Sequence, residues 1–446
     1  MGVSVIGHYS TPVTREELRG YFLTGCKNET DLAIGVEWEK IGIYRDTGEA
    51  ISYTGSRGVE TIFRTLAQKN GWELVNGVDD RPIALKRAGA SITLEPGGQI
   101  ELSGQKAEHL SRNAEELFSH LRELKQVSDP LGIVWLGLGA QPFSVAQEIE
   151  WVPKDRYAIM REKLAGRGDL TYSMMKETAS VQVSLDYTSQ EDAVEKLRLA
   201  MALSPVFTAL FANSPIEKGK KSPYLSRRAD IWRHTTPERS GVLWKIFETP
   251  FTLDDYVEYA LNVPLLFLVR DGRWLGAGNI TFDGFLKKGL NGILAEPGDW
   301  DLHLTSIFTE SRIKKYVEIR SIDCQKPLAG LAAAAFIKGL FYHKPSRQDA
   351  WQTVGSWTLE ERKRLMEESP LKALKTVIGN GTLLEPCRRL VAMAKNGLAD
   401  DEKDFLLPLE EIVKKGRCPA EDLLERLGDL GEREELTGKL IRLSET

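Results

Sequence analysis

Ile34-Gly35-Val36-Glu37-Trp38-Glu39-Lys40 sets two glutamates inside a short apolar run. Read as a strand, alternation sends Ile34, Val36 and Trp38 to one face and Glu37 and Glu39 to the other. The two carboxylates then stand roughly 7 Å apart. Carboxylates form strands poorly and are costly to bury unpaired. The stretch is therefore either a solvated sheet face, with Glu39 paired to a lysine, or one side of a cation site.

The pattern recurs. Leu94-Glu95-Pro96-Gly97-Gly98-Gln99-Ile100-Glu101-Leu102-Ser103 places one glutamate before a Pro-Gly-Gly break and one after it. A turn there lets Glu95 swing back toward Glu101. In Tyr316-Val317-Glu318-Ile319-Arg320-Ser321-Ile322-Asp323, Val317 and Ile319 face one way and Glu318 and Arg320 the other. Ser180–Asp186 puts Gln182, Ser184 and Asp186 on its polar face. Several strands thus offer oxygen donors from one face. Hard oxygen ligands suit Mg²⁺, which takes few carboxylates and shares its sphere with phosphates.

These segments, with Tyr224-Leu225-Ser226-Arg227-Arg228-Ala229-Asp230-Ile231-Trp232 and Asp299–Phe308 following in order, resemble the glutamate–cysteine ligase family of the plant and proteobacterial type. The resemblance runs from about residue 15 to the C-terminal helices. It implies an α+β fold: a glutamine synthetase-like curved, mainly antiparallel sheet flanked by helices, with a helical C-terminal portion. It implies ATP- and Mg²⁺-dependent ligation of the L-glutamate γ-carboxyl to the L-cysteine amine through a γ-glutamyl phosphate. That is the first step of glutathione biosynthesis. Two or three Mg²⁺ ions would be held among Glu37, Glu39, Glu95, Glu101, Gln182 and Glu318. Gln182 stands where a more distant bacterial branch uses histidine. Glu37, Glu101 and Arg320 would be catalytic, with Arg320 on phosphate unless it is spent on Glu318 or Asp323. Arg156, Arg228 and His303 would bind substrate. Arg227 is a departure from the family beside Arg228. His303, in a run read as a strand over Trp300–Phe308, is either a substrate contact or a satisfied structural histidine. Trp38 and Trp232 read as core or wall. Two alternatives stay open: a γ-glutamyl ligase of the same family with another amine acceptor, and a catalytically silent binding paralogue. Every acidic motif position is intact, which argues against the second.

The chain of 446 residues is expected to be one catalytic domain over 1–446, strand-rich at about 30–325 and helical at about 326–446. Its formal net charge of −5 gives no basic footprint for nucleic acid. No apolar run approaches the ~20 residues that span a membrane. Met1–His8 lacks a basic signal region and a myristoylation pattern, so the expected location is cytoplasmic. The expected partners are the small substrates L-glutamate, L-cysteine and ATP, in a monomer or homodimer. Cys26, Cys324, Cys387 and Cys418 are scattered, without zinc spacing. Plant relatives carry regulatory disulfides, but these cysteines sit in different contexts, and reduced thiols are expected. There is no Walker A or Rossmann fingerprint. Gly166-Arg167-Gly168-Asp169 reads as a loop.

Helices are expected over Thr14–Phe22, Ser56–Gln68, Ala107–Val127, Leu328–Tyr342, Thr358–Glu368, Leu384–Asn396, Asp400–Lys415 and Pro419–Leu443. Ser189–Asp192 reads as a capping box, and Pro205 is expected to kink or end the helix that follows. Leu261–Arg270 and Arg273–Gly276, around Asp271-Gly272, read as a hairpin.

Overall fold

A computed structural model describes residues 13–446, so the expectations for Met1–His8 lie outside the described residues. The Ile34 stretch opens β1 (Ile34–Tyr44), the central strand of a nine-stranded sheet. Its other strands include β2 (Glu73–Asn76), β3 (Pro82–Arg87), β4 (Ala90–Leu94), β5 (Ile100–Ser103), β6 (Ile133–Leu136) and β7 (Ser180–Leu185). Two more, Ser311–Ile313 and Val317–Asp323, complete it. The order is Ser311–Ile313, Val317–Asp323, β7, β1, β5, β4, β3, β2, with β6 paired to the second half of β1. Every pairing in the sheet is antiparallel.

One face is apolar and dry. Ile34, Val36, Trp38, Ile100, Leu102, Val181 and Val183 are buried there in one core with the long helices. The helix Pro327–Tyr342 lies on this face, and Gly330 is why it can approach: a Cβ there would stand 2.5 Å from the Trp38 ring. The helices Leu384–Asn396 and Leu407–Lys415 pack around it through Leu390, Val391 and Leu409, in the same core as the sheet. The last helix, Arg433–Ser444, returns to β6, where Leu436 and Leu440 meet Ile41, Ile43 and Val134.

Local signals account for most elements, and their failures have causes. Ser189 accepts from the Asp192 backbone as a cap, but the Asp192 carboxylate turns to the Thr188 backbone instead of closing the box. Pro205 does not end its helix, which continues over Gln190–Phe211. From Leu199 onward every residue of this helix is buried, and that packing outweighs the ~3 kcal/mol penalty of an interior proline. The expected strand over Trp300–Phe308 is instead the helix Pro297–Leu304, opened by a reciprocal cap between Glu296 and Asp299 with Pro297 in its first turn; strand pairing begins only at Phe308. The apolar run from Leu261 finishes helix Leu253–Asn262 before the hairpin Phe267–Arg270 and Arg273–Gly276 starts. The charged tail breaks at Gly428 into Pro419–Leu427 and Arg433–Ser444.

Candidate active site

The second sheet face carries the polar side chains, and strand register stacks them in rows. Glu37 on β1 stands opposite Ser103 on β5 and Gln182 on β7. Glu39 stands opposite Glu101, which stands opposite Thr93 of β4. Glu318 lies between Ser184 and Arg312. Directly opposed residues share a face, so period-2 alternation on six strands gathers these groups without any loop. Glu95 joins them from the turn after β4. Its backbone N–H bonds Gln99 O at 2.9 Å, and Gly98 takes a φ of +84°. Gly97 passes so close to Lys176 that a Cβ would lie 2.4 Å from its carbonyl oxygen, which fixes why this turn needs glycine.

Glu37, Glu39, Glu95, Glu101 and Gln182 line one cavity of about 800 Å³ together with Arg156, Arg228 and Arg320. The four glutamates are short of partners. Glu39 accepts from Ser180 N at 2.6 Å and Gln182 Nε2 at 2.8 Å. Glu101 accepts from Thr93 Oγ1 at 3.1 Å and Ser103 Oγ at 2.9 Å. Among the described residues none of the four has an ion pair. Burial, then repulsion from Glu101 and Glu318, pushes the Glu37 carboxyl well above its usual range. Burial, then Glu95 and Glu101, pushes Glu39 up to about 8. Glu95 is raised by burial and by Glu101. Such groups give up their protons less readily than ordinary carboxyls, and a nearby cation favours their charged form.

Glu318 behaves oppositely. It is fully buried and does not line the cavity, because three cations enclose it: Arg312 Nη2 at 2.6 Å, Lys314 Nζ at 2.8 Å and Arg320 Nη1 at 2.6 Å. Burial alone would raise its pKa, but Arg312, Lys314 and Arg320 override it and hold the carboxyl well below its ordinary range. The alternative weighed against a phosphate contact, an Arg320–Glu318 pair, is therefore present, and Arg320 still reaches the cavity.

Three further cations of the wall went unread in the sequence. Arg312, Lys314 and Lys154 all line the cavity. Ser311–Lys314 alternates polar and apolar residues beside the Glu318 strand, a signal that could have found the first two. Lys154 Nζ donates to Leu94 O at 2.8 Å, and burial pulls its pKa down to about 8. Arg228 donates to Arg320 O at 2.7 Å. Trp232, a cavity wall, lies between Arg228 and Arg320, each guanidinium 5.7 Å from its ring centre. Arg227 points elsewhere, bonded to Asp230 and 3.1 Å from Glu217, which separates it from Arg228. Arg156 spends only a long 3.4 Å bond on Thr305 O and leaves Nε unpartnered.

His303 is not brought to the cavity. It sits on the inner face of helix Pro297–Leu304 with its ring stacked on Trp300 and its Nε2 2.8 Å from Ala260 O. Burial drives its pKa down to about 3, as for a neutral structural histidine. Trp38 is core on the other face. Cys324, Cys387 and Cys418 are buried, Cys26 is half-buried, and all four are free thiols. Burial raises the Cys324 thiol to about 12. Asp186 is used structurally, accepting from Ala33 N at 3.0 Å.

Among the described residues no three Asp, Glu, His or Cys side chains converge as a closed metal cage. The donor set still fits Mg²⁺: partly hydrated, held by one or two carboxylates, completed by substrate oxygens. Underpaired glutamates facing a cluster of arginines and lysines across one cavity suit a polyanion that brings its own metal.

The family model described as Glutamate-cysteine ligase family 2 (GCS2) matches residues 33–446. The chloroplastic glutamate–cysteine ligase of Brassica juncea is 39% identical over 420 residues, 93% of this chain and 81% of that protein. The chloroplastic glutamate–cysteine ligase B of Oryza sativa subsp. japonica is 38% identical over 419 residues, 93% and 84% of the two chains. Among solved structures, the glutamate–cysteine ligase of Francisella tularensis in complex with AMP aligns with a TM-score of 0.56 at 10% identity, covering 92% of this chain and 88% of that one. At that identity it speaks for the fold, an antiparallel-sheet ligase fold of the expected kind. The plant names overturn the expected cytoplasmic location, since these relatives are chloroplastic. Address is carried by a targeting segment and not by a catalytic sheet, so composition and motifs could not supply it. No helix among the described residues is long and apolar enough to cross a membrane.

Proposed function

We infer, for a chain that belongs to glutamate–cysteine ligase family 2, that the cavity walled by Glu37, Glu39, Glu95, Glu101, Arg156, Arg228 and Arg320 is its active site. The enzyme joins the γ-carboxyl of L-glutamate to the amine of L-cysteine with ATP, the opening step of glutathione biosynthesis. The observation that carries the site is charge in imbalance. Four carboxylates without ion pairs face Arg156, Arg228, Lys154 and Arg320 across about 800 Å³.

Phosphorylating a carboxylate requires two anions, the γ-carboxylate and the γ-phosphate of ATP, to approach each other. Positioning and charge neutralisation do most of that work. Bound Mg²⁺, as two or three ions on Glu37, Glu39, Glu95 and Glu101, would offset the repulsion and order the phosphates. Arg320, held by Glu318, contacts the transferred phosphate. Glu318 itself is read as the counter-ion that organises Arg312, Lys314 and Arg320, since its oxygens are already taken. Arg228, beyond its bond to Arg320 O, and Arg156, beyond its long bond to Thr305 O, keep donors with which to grip substrate carboxylates. Trp232, Phe308, Tyr157 and three methionines, Met160, Met174 and Met175, close the walls against water. The strand-rich and helical parts act as one catalytic unit, as their shared core favours. The AMP bound by the Francisella tularensis enzyme supports an adenine nucleotide as one of the ligands.

The test is phosphate release by purified protein with ATP, Mg²⁺, L-glutamate and a panel of amines. L-Cysteine should give the highest kcat/KM, with L-2-aminobutyrate still used, because one thiol against one methyl is worth only ~1–3 kcal/mol. Release with another amine and none with L-cysteine would move the enzyme to a different acceptor; no release with any amine would favour a silent paralogue.

A further inference from the structure

We propose that Gln182 is a positioning residue, an amide relay that ties the phosphate-contacting Arg320 to the metal-facing Glu39, and not an oxygen ligand for metal. The relay rests on the site assignment above. Gln182 Oε1 accepts from Arg320 Nη1 at 2.5 Å, while Gln182 Nε2 donates to Glu39 Oε1 at 2.8 Å. Chemistry fixes which way the amide points. A guanidinium can only donate, so the amide oxygen must face Arg320 and the amide NH₂ is left to face Glu39, whose Oε1 accepts from it. A flipped amide would set two donors against each other at Arg320.

The backbone builds this contact deliberately. Ile319 pairs with Val183 and Ile322 with Val181, so Arg320 and Ser321 together oppose Gln182 in a bulge. A bulge re-aims the side chain it carries. Arg320 is thereby turned along the sheet toward both Glu318 and Gln182. On the other side, the second oxygen of Glu39 is held by Ser180 N at 2.6 Å, so β7 supplies both donors of that carboxylate. Glu39, Gln182, Arg320 and Glu318 form one unbroken chain of hydrogen bonds, with Arg312 and Lys314 at its end. A divalent ion on Gln182 Oε1 would share that oxygen with the Arg320 guanidinium, and the two like charges would repel. The oxygen that was expected to hold metal is thus committed to an arginine. The relay gives the two halves of the site a common rigid link: Glu39 cannot shift without moving the amide that fixes Arg320.

Gln182→Met keeps the length of the side chain and removes both polar contacts. A relay and a ligand then predict different results. With metal removed by EDTA, calorimetric binding of ADP should weaken roughly tenfold or more, the scale of one lost charge-assisted hydrogen bond. In turnover, the raised KM for ATP should persist at saturating Mg²⁺, whereas a lost metal ligand is rescued by more Mg²⁺. Gln182→His retains one donor and one acceptor in its neutral ring and should recover metal-free ADP binding to within about threefold. That recovery also guards against a folding defect, which thermal melting of both variants checks directly. Arg320→Met is measured alongside. Wild-type ADP affinity in Gln182→Met, or no recovery in Gln182→His, overturns the relay while Arg320→Met still binds weakly. Wild-type affinity in Arg320→Met as well would take down the site assignment along with the relay.

Discussion

Replacing Glu318 by glutamine should destabilise the protein by ~3 kcal/mol at neutral pH, and the size follows from its surroundings. Glu318 is fully buried, with Arg312, Lys314 and Arg320 all within 2.8 Å. Removing one partner of a buried ion pair costs ~3–5 kcal/mol, because the other charge is left uncompensated. Three cations sharing one counter-ion argue for the upper end. Two features pull the value down. Arg312 also bonds Thr305 O at 2.9 Å and Ile307 O at 2.8 Å, and Arg320 keeps Gln182. Glu37, whose ionisation Glu318 opposes, becomes free to ionise and to stand in as counter-charge. Urea unfolding at pH 7 measures the difference. Its pH dependence gives a second check. A carboxyl held below its unfolded value stabilises the fold above about pH 4.5 and loses that contribution as pH falls through its folded pKa. The gap between wild type and Glu318→Gln should therefore be full at pH 7 and narrow in acid. Equal urea midpoints at pH 7 would refute the idea that Glu318 is the counter-ion of the cluster.

Between pH 6.5 and 8, above the range where buried His120 and His303 affect stability, the metal-free protein should lose stability relative to Glu39→Gln as pH rises, because folded Glu39 keeps its proton up to about 8 while the unfolded chain does not; the comparison cancels the opposite trend of Lys40, Lys154 and Lys176, which burial pulls down to about 8. Mg²⁺ should reverse that loss and release protons on binding, visible as a buffer-dependent heat in calorimetry; a buffer-independent heat would contradict the protonated carboxylates. Arg228→Lys keeps the charge but loses the fork, so KM for an amino-acid substrate should rise roughly tenfold with KM for ATP little changed; unchanged kinetics would make Arg228 peripheral. Reductant should leave activity and elution volume unaltered, because Cys324, Cys387 and Cys418 are buried away from any oxidant; a loss of activity on reduction, removed by Cys→Ser changes, would show otherwise.

Glu37, Glu39, Glu101 and Gln182 were legible because a strand has period 2, and four short segments each advertised a polar face. The turn at Glu95 was legible because Pro-Gly-Gly leaves the backbone few choices. The run Trp300–Phe308 misled for a related reason: Leu302 and Leu304 alternate with His303 over too few residues to tell strand from helix. The cap formed by Glu296, Pro297 and Asp299 decided it from outside that run. Pro205 misled because a local penalty was weighed without the burial that surrounds it on every side. Arg312, Lys314 and Lys154 went unread because they enter the cavity from segments that pair with, or fold over, the glutamate strands. Their meaning depends on which neighbour they meet.

Glu318 makes the same point most sharply. In sequence it matches Glu37 and Glu39: a glutamate on the polar side of an alternating strand, and a metal ligand by resemblance. In space the sheet order separates them. Glu37 and Glu39 sit on the central strand, with the hydroxyl of Ser103, the amide of Gln182 and the carboxyl of Glu101 directly across from them. Glu318 sits one strand from the edge, and that edge strand delivers Arg312 directly across from it. Identical side chains on identical local patterns thus acquire opposite proton affinities, one set raised and one depressed. An acid with a raised pKa is one that a dication can capture by displacing a proton; an acid with a depressed pKa already has its cations. The difference between carboxyls of raised and of depressed proton affinity, on which the proposed metal site rests, is written in strand order, which no single strand's sequence contains.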